Sequence, residues 1–475
     1  MSPDHFGSMF GLPRFEREDL ELQILAEQMA DDLNTPSSLI PSGYTILGQF
    51  ITHDLTLDRT LLQGDPIDPS TVENFRTPRF DLDSVYAESL TLHLEPPHDE
   101  ASPARAKMEI GRSRGATFDL EDLPRYAVDN ADGQAAFTAK IGDGRNDENL
   151  LVAQLHLAFL KLHNRFVDDL HDGGVAENEL FEAARQWCRW CYQWIVVNDY
   201  LPRIVGQPTI DAVMAPPDGG EPRFNFALYN PPDAAHPMMP VEFSAAAFRL
   251  GHSMIRPAYR VAVDGMGVNL FPGQYAGASG FPNLGGMQPL QPSLKADWSR
   301  FFFKPPANGP DEEHDFRNFA KKIDSHLPRF LSSLPGSAVG SGPRDSVVSL
   351  ALTDLRRGVK LSLPSGQRVA RAVIKATGVG EELSNDKLGL TRPAWQGEAP
   401  LWFYILKEAE LSTGGQQLGP VGGRIVAEVI LGLLAYDRSS YVYANPPFTP
   451  ERLVGPPADT KHTMADILRY AGVLD

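Results

Sequence analysis

The stretch Gly48-Gln49-Phe50-Ile51-Thr52-His53-Asp54-Leu55 sets an amide, an imidazole and a carboxylate close together. On a helix Gln49 and His53 are four apart and share a face, while Asp54 is turned about 100° away. One face can then meet a ligand pocket while the carboxylate serves a different site. Most such His-Asp pairs are ordinary surface or core residues, so this one carries little weight alone. A second stretch, Asn74-Phe75-Arg76-Thr77-Pro78-Arg79-Phe80-Asp81-Leu82-Asp83-Ser84-Val85-Tyr86, places Thr77, Arg79, Asp81 and Asp83 at every second position. An extended loop would turn their oxygens, including the Arg79 backbone carbonyl, to one side. Calcium takes about six to eight hard oxygen ligands and can draw them from such a loop plus one remote carboxylate. The bland alternative is a solvated acidic turn.

Two further stretches bear on chemistry. Gly142-Asp143-Gly144-Arg145-Asn146-Asp147-Glu148-Asn149-Leu150 runs into a helix carrying His156 and His163-Asn164-Arg165-Phe166. Arg145 could stabilise a developing anion, or it could simply pair with Glu148 three residues on. In Phe248-Arg249-Leu250-Gly251-His252-Ser253-Met254-Ile255-Arg256-Pro257 an apolar helix carries one histidine beside a glycine. That suits the close approach of a flat ligand, and the imidazole could ligate iron. A lone helical histidine is still more often a hydrogen-bonded core residue.

The elements that must position these residues read mainly as helices. Apolar periodicity predicts helices over 44–57, 148–170, 177–205, 241–256, 346–357, 368–375, 400–411 and 421–435. Strand-like alternation is short and scarce, as at Tyr259-Arg260-Val261-Ala262-Val263. Pro/Gly-rich stretches at about 92–135, 207–240, 264–310 and 334–345 predict long ordered loops. The fold class expected is mainly α.

Length and composition narrow the function. A chain of 475 residues with 42% hydrophobic and 22% charged residues can bury a large core. With 61 acidic against 43 basic residues, the formal net charge of −18 opposes nucleic acid and anionic membranes as partners. Met1-Ser2-Pro3-Asp4-His5-Phe6 shows no basic start followed by an apolar run, so a cytoplasmic location without a secretory signal is expected. No apolar stretch approaches a membrane span. Cys188 and Cys191 form a C-x-x-C that could be a redox pair or half a metal site. Their aromatic flanks read as a buried helix, so small core thiols are expected.

Taken together, G-Q-F-x-x-H-D, T-x-x-x-D-x-D-S-V-Y, G-D-x-R-x-x-E followed by H-N-R, and R-x-G-H-S resemble the animal-type haem peroxidases in order and spacing. Leu355-Arg356-Arg357-Gly358 and Leu363-Pro364-Ser365-Gly366-Gln367 extend the resemblance over roughly residues 40 to 440. Bacterial members without a signal peptide or disulfides look closest. The resemblance implies the helical peroxidase fold, with an N-terminal arm over 1–40 and one domain over 41–475. It implies haem b and Ca²⁺ as cofactors, and hydrogen peroxide with a small-molecule electron donor as partners. The donor, whether halide, phenol or another organic molecule, would be oxidised through a high-valent oxo-iron intermediate.

By the same resemblance, His53 is the distal acid–base, with Gln49 and Arg145 beside it. His252 is the proximal iron ligand, and Glu148, Asp354, Arg249 and Arg357 bind the cofactor. Asp54, Thr77, Arg79 through its carbonyl, Asp81 and Asp83 surround calcium. Three departures stand out. Thr52 replaces the aspartate that forms a second haem ester, so at most one ester, through Glu148, is expected. Asn149 replaces the methionine of a haem–sulfonium link. Asp354 replaces the asparagine that usually bonds the proximal imidazole, and a carboxylate there makes the imidazole more electron-donating. A haem-dependent fatty-acid dioxygenase of the same superfamily is the nearest rival, but its radical tyrosine would fall at Arg249. A calcium-bound scaffold without activity is a rival of a different class.

Overall fold

The predicted helices form, and most differ from expectation only at their ends. The computed structural model describes residues 4–31, 37–86, 103–129, 135–215, 223–262, 267–271, 282–306, 316–335 and 347–474. The long helices are α1 (Asp19–Gln28), α2 (Gly43–Leu55), α3 (Leu150–Asp172), α4 (Glu177–Ile195), α5 (Leu350–Lys360), α6 (Gly366–Thr377), α7 (Leu401–Thr413) and α8 (Pro420–Tyr436). Strands are short, and each sheet among the described residues is a single pair.

Local chemistry sets the boundaries. Asn149 caps α3 by accepting from the amides of Leu151 (3.1 Å) and Val152 (3.0 Å), so the helix starts two residues later than its apolar pattern suggested. Helix α4 runs through a π turn at Val196–Tyr200 into Leu201–Val205, so the predicted 177–205 helix is one rod with a bulge.

Two expectations are corrected. The stretch 241–256 is broken into Val241–Ser244, a 3₁₀ turn Ala247–Leu250 and Gly251–Met254. The Arg249 guanidinium donates to the Ser244 carbonyl at 3.1 Å, a bond to an oxygen that a continuous helix would use for a backbone amide. The supposed loop 92–135 contains antiparallel hairpins pairing Gly111–Gly115 with Phe118–Asp122 and Arg125–Asp129 with Ala135–Ala139. Its parts at 92–102 and 130–134 lie outside the described residues, as does Val263 of the strand-like run. That run does supply Ala258–Arg260, paired with Gly267–Asn269.

The core lies where α3 and α4 pack together and α2 crosses them. Phe50 of α2 stacks on Phe159 of α3 at 4.8 Å and meets Tyr192 of α4 edge-on. Burying a side chain of this size is worth about 1.5–3 kcal/mol. Because Leu47, Phe50, Ile51 and Leu55 are buried in this contact, the rotation of α2 is fixed, and so are the directions of Gln49, His53 and Asp54. The one carboxylate inside the apolar helix α8 has a structural use: Glu428 accepts from the amides of Ala227, Leu228 and Tyr229 and from Arg424. Cys188 and Cys191 are buried free thiols, and burial pushes the Cys188 thiol up to about 12. No helix among the described residues is long and apolar enough to cross a membrane.

Candidate active site

Helix α2 directs His53 towards the turn that precedes α3. His53 Nδ1 meets Asn146 Oδ1 at 2.9 Å, and Nε2 lies 4.0 Å from Glu148 Oε1. Gln49, one turn back on the same face, donates to Glu148 Oε1 and accepts from Asn149 Nδ2 at 3.3 Å. Burial, then the Arg145 charge, pulls the His53 imidazole down to about 3, so the ring is neutral at physiological pH. The Glu148 side chain is 36% exposed, although protein atoms surround its carboxyl. Burial there pushes its carboxyl up to about 7, against the pull of Arg145.

Arg145 lies in the 3₁₀ turn Gly144–Asp147 and not on α3. It forms no ion pair with Glu148. Its Nε and Nη2 hold Asp143 at 3.0 and 2.7 Å, and Nη2 also donates to the His53 carbonyl at 2.9 Å. Nη1 stays uncommitted among the described residues. Burial raises the Asp143 carboxyl, but Arg145 and Arg76 outweigh it and hold the group below the usual carboxylate range. Arg76 joins this corner to the acidic loop through Asp143 (2.9 Å) and Asp83 (3.1 Å).

A second cluster centres on His252. Its Nδ1 lies 2.5 Å from Asp354 Oδ2, while Arg249 Nη1 holds Asp354 Oδ1 at 2.6 Å. Asp354 is fully buried on α5. Burial raises its carboxyl, and His252 with Arg249 more than reverses that. His252 Nε2 has no hydrogen-bond partner among the described residues, and a Cβ built at Gly251 would meet nothing within 4 Å. Arg357, one turn along α5, pairs with Asp58 at 2.5 Å and leaves its buried Nε unpartnered. These features fit a flat, iron-bearing cofactor: a histidine pinned through Nδ1, open space beside it, and two guanidinium groups nearby.

The acidic loop is not the simple extended strand its alternation suggested. Leu82 takes a positive φ of 59°, and Asp83 opens a short helix to Tyr86. The Thr77 hydroxyl donates to Asp81, and the Arg79 guanidinium reaches the Ala235 carbonyl. Asp54 accepts from the Ser84 amide at 3.3 Å through Oδ1, while its buried Oδ2 and the Ser84 hydroxyl have no partner. The Tyr192 hydroxyl lies beside Asp54 without a well-formed hydrogen bond. Burial, with the charges of Asp81 and Asp83, raises the Asp54 carboxyl well above its ordinary value, and burial with Asp83 lifts Asp81 to about 6. Among the described residues no three acidic, imidazole or thiol groups already converge as a metal site.

The sequence reading did not single out Asn146, Asp143 or Arg76 as site residues. The D-G-R turn was a signal for Asp143, since aspartate before a tight turn caps it through its own side chain. Nothing local marked Asn146 or Arg76 as joined to His53 and Asp143, which lie 93 and 67 residues away.

Over 100% of its length the chain superposes on 94% of peroxidase A from Dictyostelium discoideum, with a TM-score of 0.63 at 16% identity. A fatty acid alpha-dioxygenase from Oryza sativa superposes with a TM-score of 0.62 at 15% identity, over 98% of this chain and 81% of its own. The fold is therefore the helical one that peroxidases and dioxygenases share. Heme peroxidase 2 of Caenorhabditis elegans is 23% identical over 491 aligned residues, covering 88% of this chain and 62% of its own. Residues 63–268 match the family model described as animal haem peroxidase. The chain spans less than two-thirds of the length of the curated relatives it matches.

Proposed function

We propose that the protein is a haem peroxidase that reduces hydrogen peroxide and oxidises a small donor. One observation carries this reading: His53 and His252 are each held through Nδ1, by Asn146 and Asp354, and each leaves Nε2 without a hydrogen-bond partner among the described residues. One imidazole is thereby presented as a base and the other as a metal ligand.

Haem bound between them would supply the iron that binds peroxide and accepts its oxidising equivalents. The chain's own groups do the rest. His53 Nε2 would take a proton from one peroxide oxygen and return it to the other, which leaves as water. Arg145, already fixed beside His53 by Asp143, stabilises the negative charge that builds as the bond breaks. Gln49 fixes Glu148, whose carboxyl would form at most one ester with the cofactor. Asp354 draws the Nδ1 proton of His252 and makes Nε2 a stronger donor to iron, while Arg249 and Arg357 would face the cofactor's carboxylates.

Calcium would be held among Asp54, Asp81 and Asp83. Three carboxyls repelling one another, with Asp54 Oδ2 and the Ser84 hydroxyl unpartnered, form a set that a divalent cation would relieve. Thr77 and the Arg79 carbonyl would complete it, and α2 would then be clamped to the loop directly beside His53. Arg249, at the dioxygenase tyrosine position, is engaged with Asp354 and offers no phenol.

An absorption spectrum with haem supplied tests the proposal. A Soret band that shifts on peroxide and recovers with a reductant is expected. Folded protein without a Soret band would overturn the reading, and peroxide-independent oxygen uptake with an unsaturated fatty acid would replace it with the dioxygenase.

A further inference from the structure

We propose that Asn146 is a positioning residue that sets the tautomer of His53, keeping the ring proton on Nδ1 and the Nε2 lone pair open to the pocket. The inference rests on the peroxidase reading and deepens it. A neutral imidazole carries one N–H, and a ring with that proton on Nε2 cannot accept another there. A histidine that must first take a proton at Nε2 is useful only in the Nδ1–H form.

The surroundings of His53 select that form. Asn146 is fully buried and stands between two imidazoles. Its Oδ1 faces His53 Nδ1 at 2.9 Å, and its Nδ2 faces Nδ1 of the buried His156 at 2.9 Å. With the amide nitrogen donating to His156, the oxygen is left to accept, and His53 must donate from Nδ1. The alternative tautomer would set a lone pair against the Asn146 oxygen and aim an N–H at Glu148, whose carboxyl oxygen is 4.0 Å from Nε2.

The backbone holds the amide in place. The Asn146 amide donates to the Asp143 carbonyl at 3.0 Å inside the turn that Asp143 caps. The preceding residue, Arg145, donates to the His53 carbonyl at 2.9 Å. Two consecutive residues therefore grip His53, one at its backbone and one at its ring. A histidine base left in the wrong tautomer has lost about 10⁴-fold in rate where a rigid partner was changed without disturbing geometry.

The test is a long-range ¹H–¹⁵N spectrum of ¹⁵N-histidine-labelled protein in its diamagnetic, CO-bound ferrous form, with His53 assigned by its absence in His53→Gln. Wild type should show the His53 proton on Nδ1. Asn146→Leu should move it to Nε2 and slow the peroxide reaction by at least about 10-fold while keeping the Soret band. Asn146→Asp, which retains an acceptor oxygen, should keep the Nδ1–H pattern and restore most of the rate. A wild-type ring protonated on Nε2, or an Asn146→Leu protein as fast as wild type, overturns the inference and leaves the peroxidase standing. Protein that takes up no haem overturns both.

Discussion

Asp354 Oδ2 lies 2.5 Å from Nδ1 of His252, and its other oxygen is held by Arg249 at 2.6 Å. The carboxylate is thus fully committed, and it passes only part of its charge to the imidazole. Asp354→Leu removes the partner that orients His252, and changes of this kind cost about 10–100-fold in metal affinity or activity. Asp354→Asn keeps an acceptor but loses the charge, so haem should still bind with a weaker iron–histidine bond. Resonance Raman of the ferrous protein reads that bond directly. An unchanged iron–histidine stretch in Asp354→Asn would count against His252 as the ligand.

His53 should matter for the first chemical step and little for assembly. His53→Ala is expected to slow the reaction with peroxide by at least about 100-fold, the usual scale for a positioned acid–base. Stopped-flow spectra of the Soret band measure this, and haem content measured on the same samples separates chemistry from cofactor loss. A variant reacting as fast as wild type would remove His53 from its role.

The sequence made α2 to α8 legible because each carries a long apolar stripe, and stripes report burial whatever the partner. It failed at 241–256, where the Arg249 side chain bonds the Ser244 carbonyl and breaks a helix that periodicity had drawn as continuous. The motif Leu363-Pro364-Ser365-Gly366-Gln367 read as part of a family pattern, but the reason for it is packing. Ser365 caps α6, Gln367 accepts from the Ala399 amide at 2.8 Å, and a Cβ on Gly366 would lie 2.2 Å from Tyr404. Site residues with reactive side chains were visible from their types. Asn146 and Arg76 were not, because an amide or guanidinium between distant segments has no local signature.

Gly286 is a quieter part of the site. Its amide donates to the Glu148 carbonyl at 3.0 Å, and an added Cβ would sit 1.7 Å from the Asp147 carbonyl oxygen. Since that neighbour is backbone, the Gly286→Ala chain must shift the turn carrying Arg145, Asn146 and Glu148. Overpacking of this sort costs about 1–3 kcal/mol, so a lower midpoint of thermal unfolding and weaker haem retention are expected together. Gly144→Ala, where an added Cβ meets nothing within 4 Å, is the matched control.

The Glu148 carboxyl gives a pH signature. It is raised in the folded protein from 4.5 to about 7, so its contribution to stability is present below 4.5 and is lost as pH rises towards 7. In haem-free protein the stability of wild type relative to Glu148→Gln should therefore fall across that window. Denaturant titrations of the two proteins at pH 4.5 and 7.5 measure the difference. A constant difference would mean that the carboxyl is not held protonated by its surroundings. With haem bound, the same substitution should make all of the cofactor extractable by acidified organic solvent, if Glu148 forms the ester.

The acidic loop makes the last prediction. Burial and the neighbouring carboxylates raise Asp81 to about 6 and hold Asp54 well above its ordinary value, so protons and a divalent cation compete for the same oxygens. A chelator should lower the thermal midpoint, and calcium at about 100 times its dissociation constant should restore about 2.7 kcal/mol. The restoration should shrink as pH falls through about 6, because each proton bound at Asp81 must be displaced before calcium enters. Asp54→Asn should abolish the calcium response and, because Asp54 adjoins His53 on α2, should also slow the peroxide step. Differential scanning calorimetry with and without calcium at pH 5 and pH 7.5 measures the stability effect. A midpoint indifferent to calcium at both values would show that α2 holds His53 in place by packing alone, through Phe50 and its neighbours on α3 and α4.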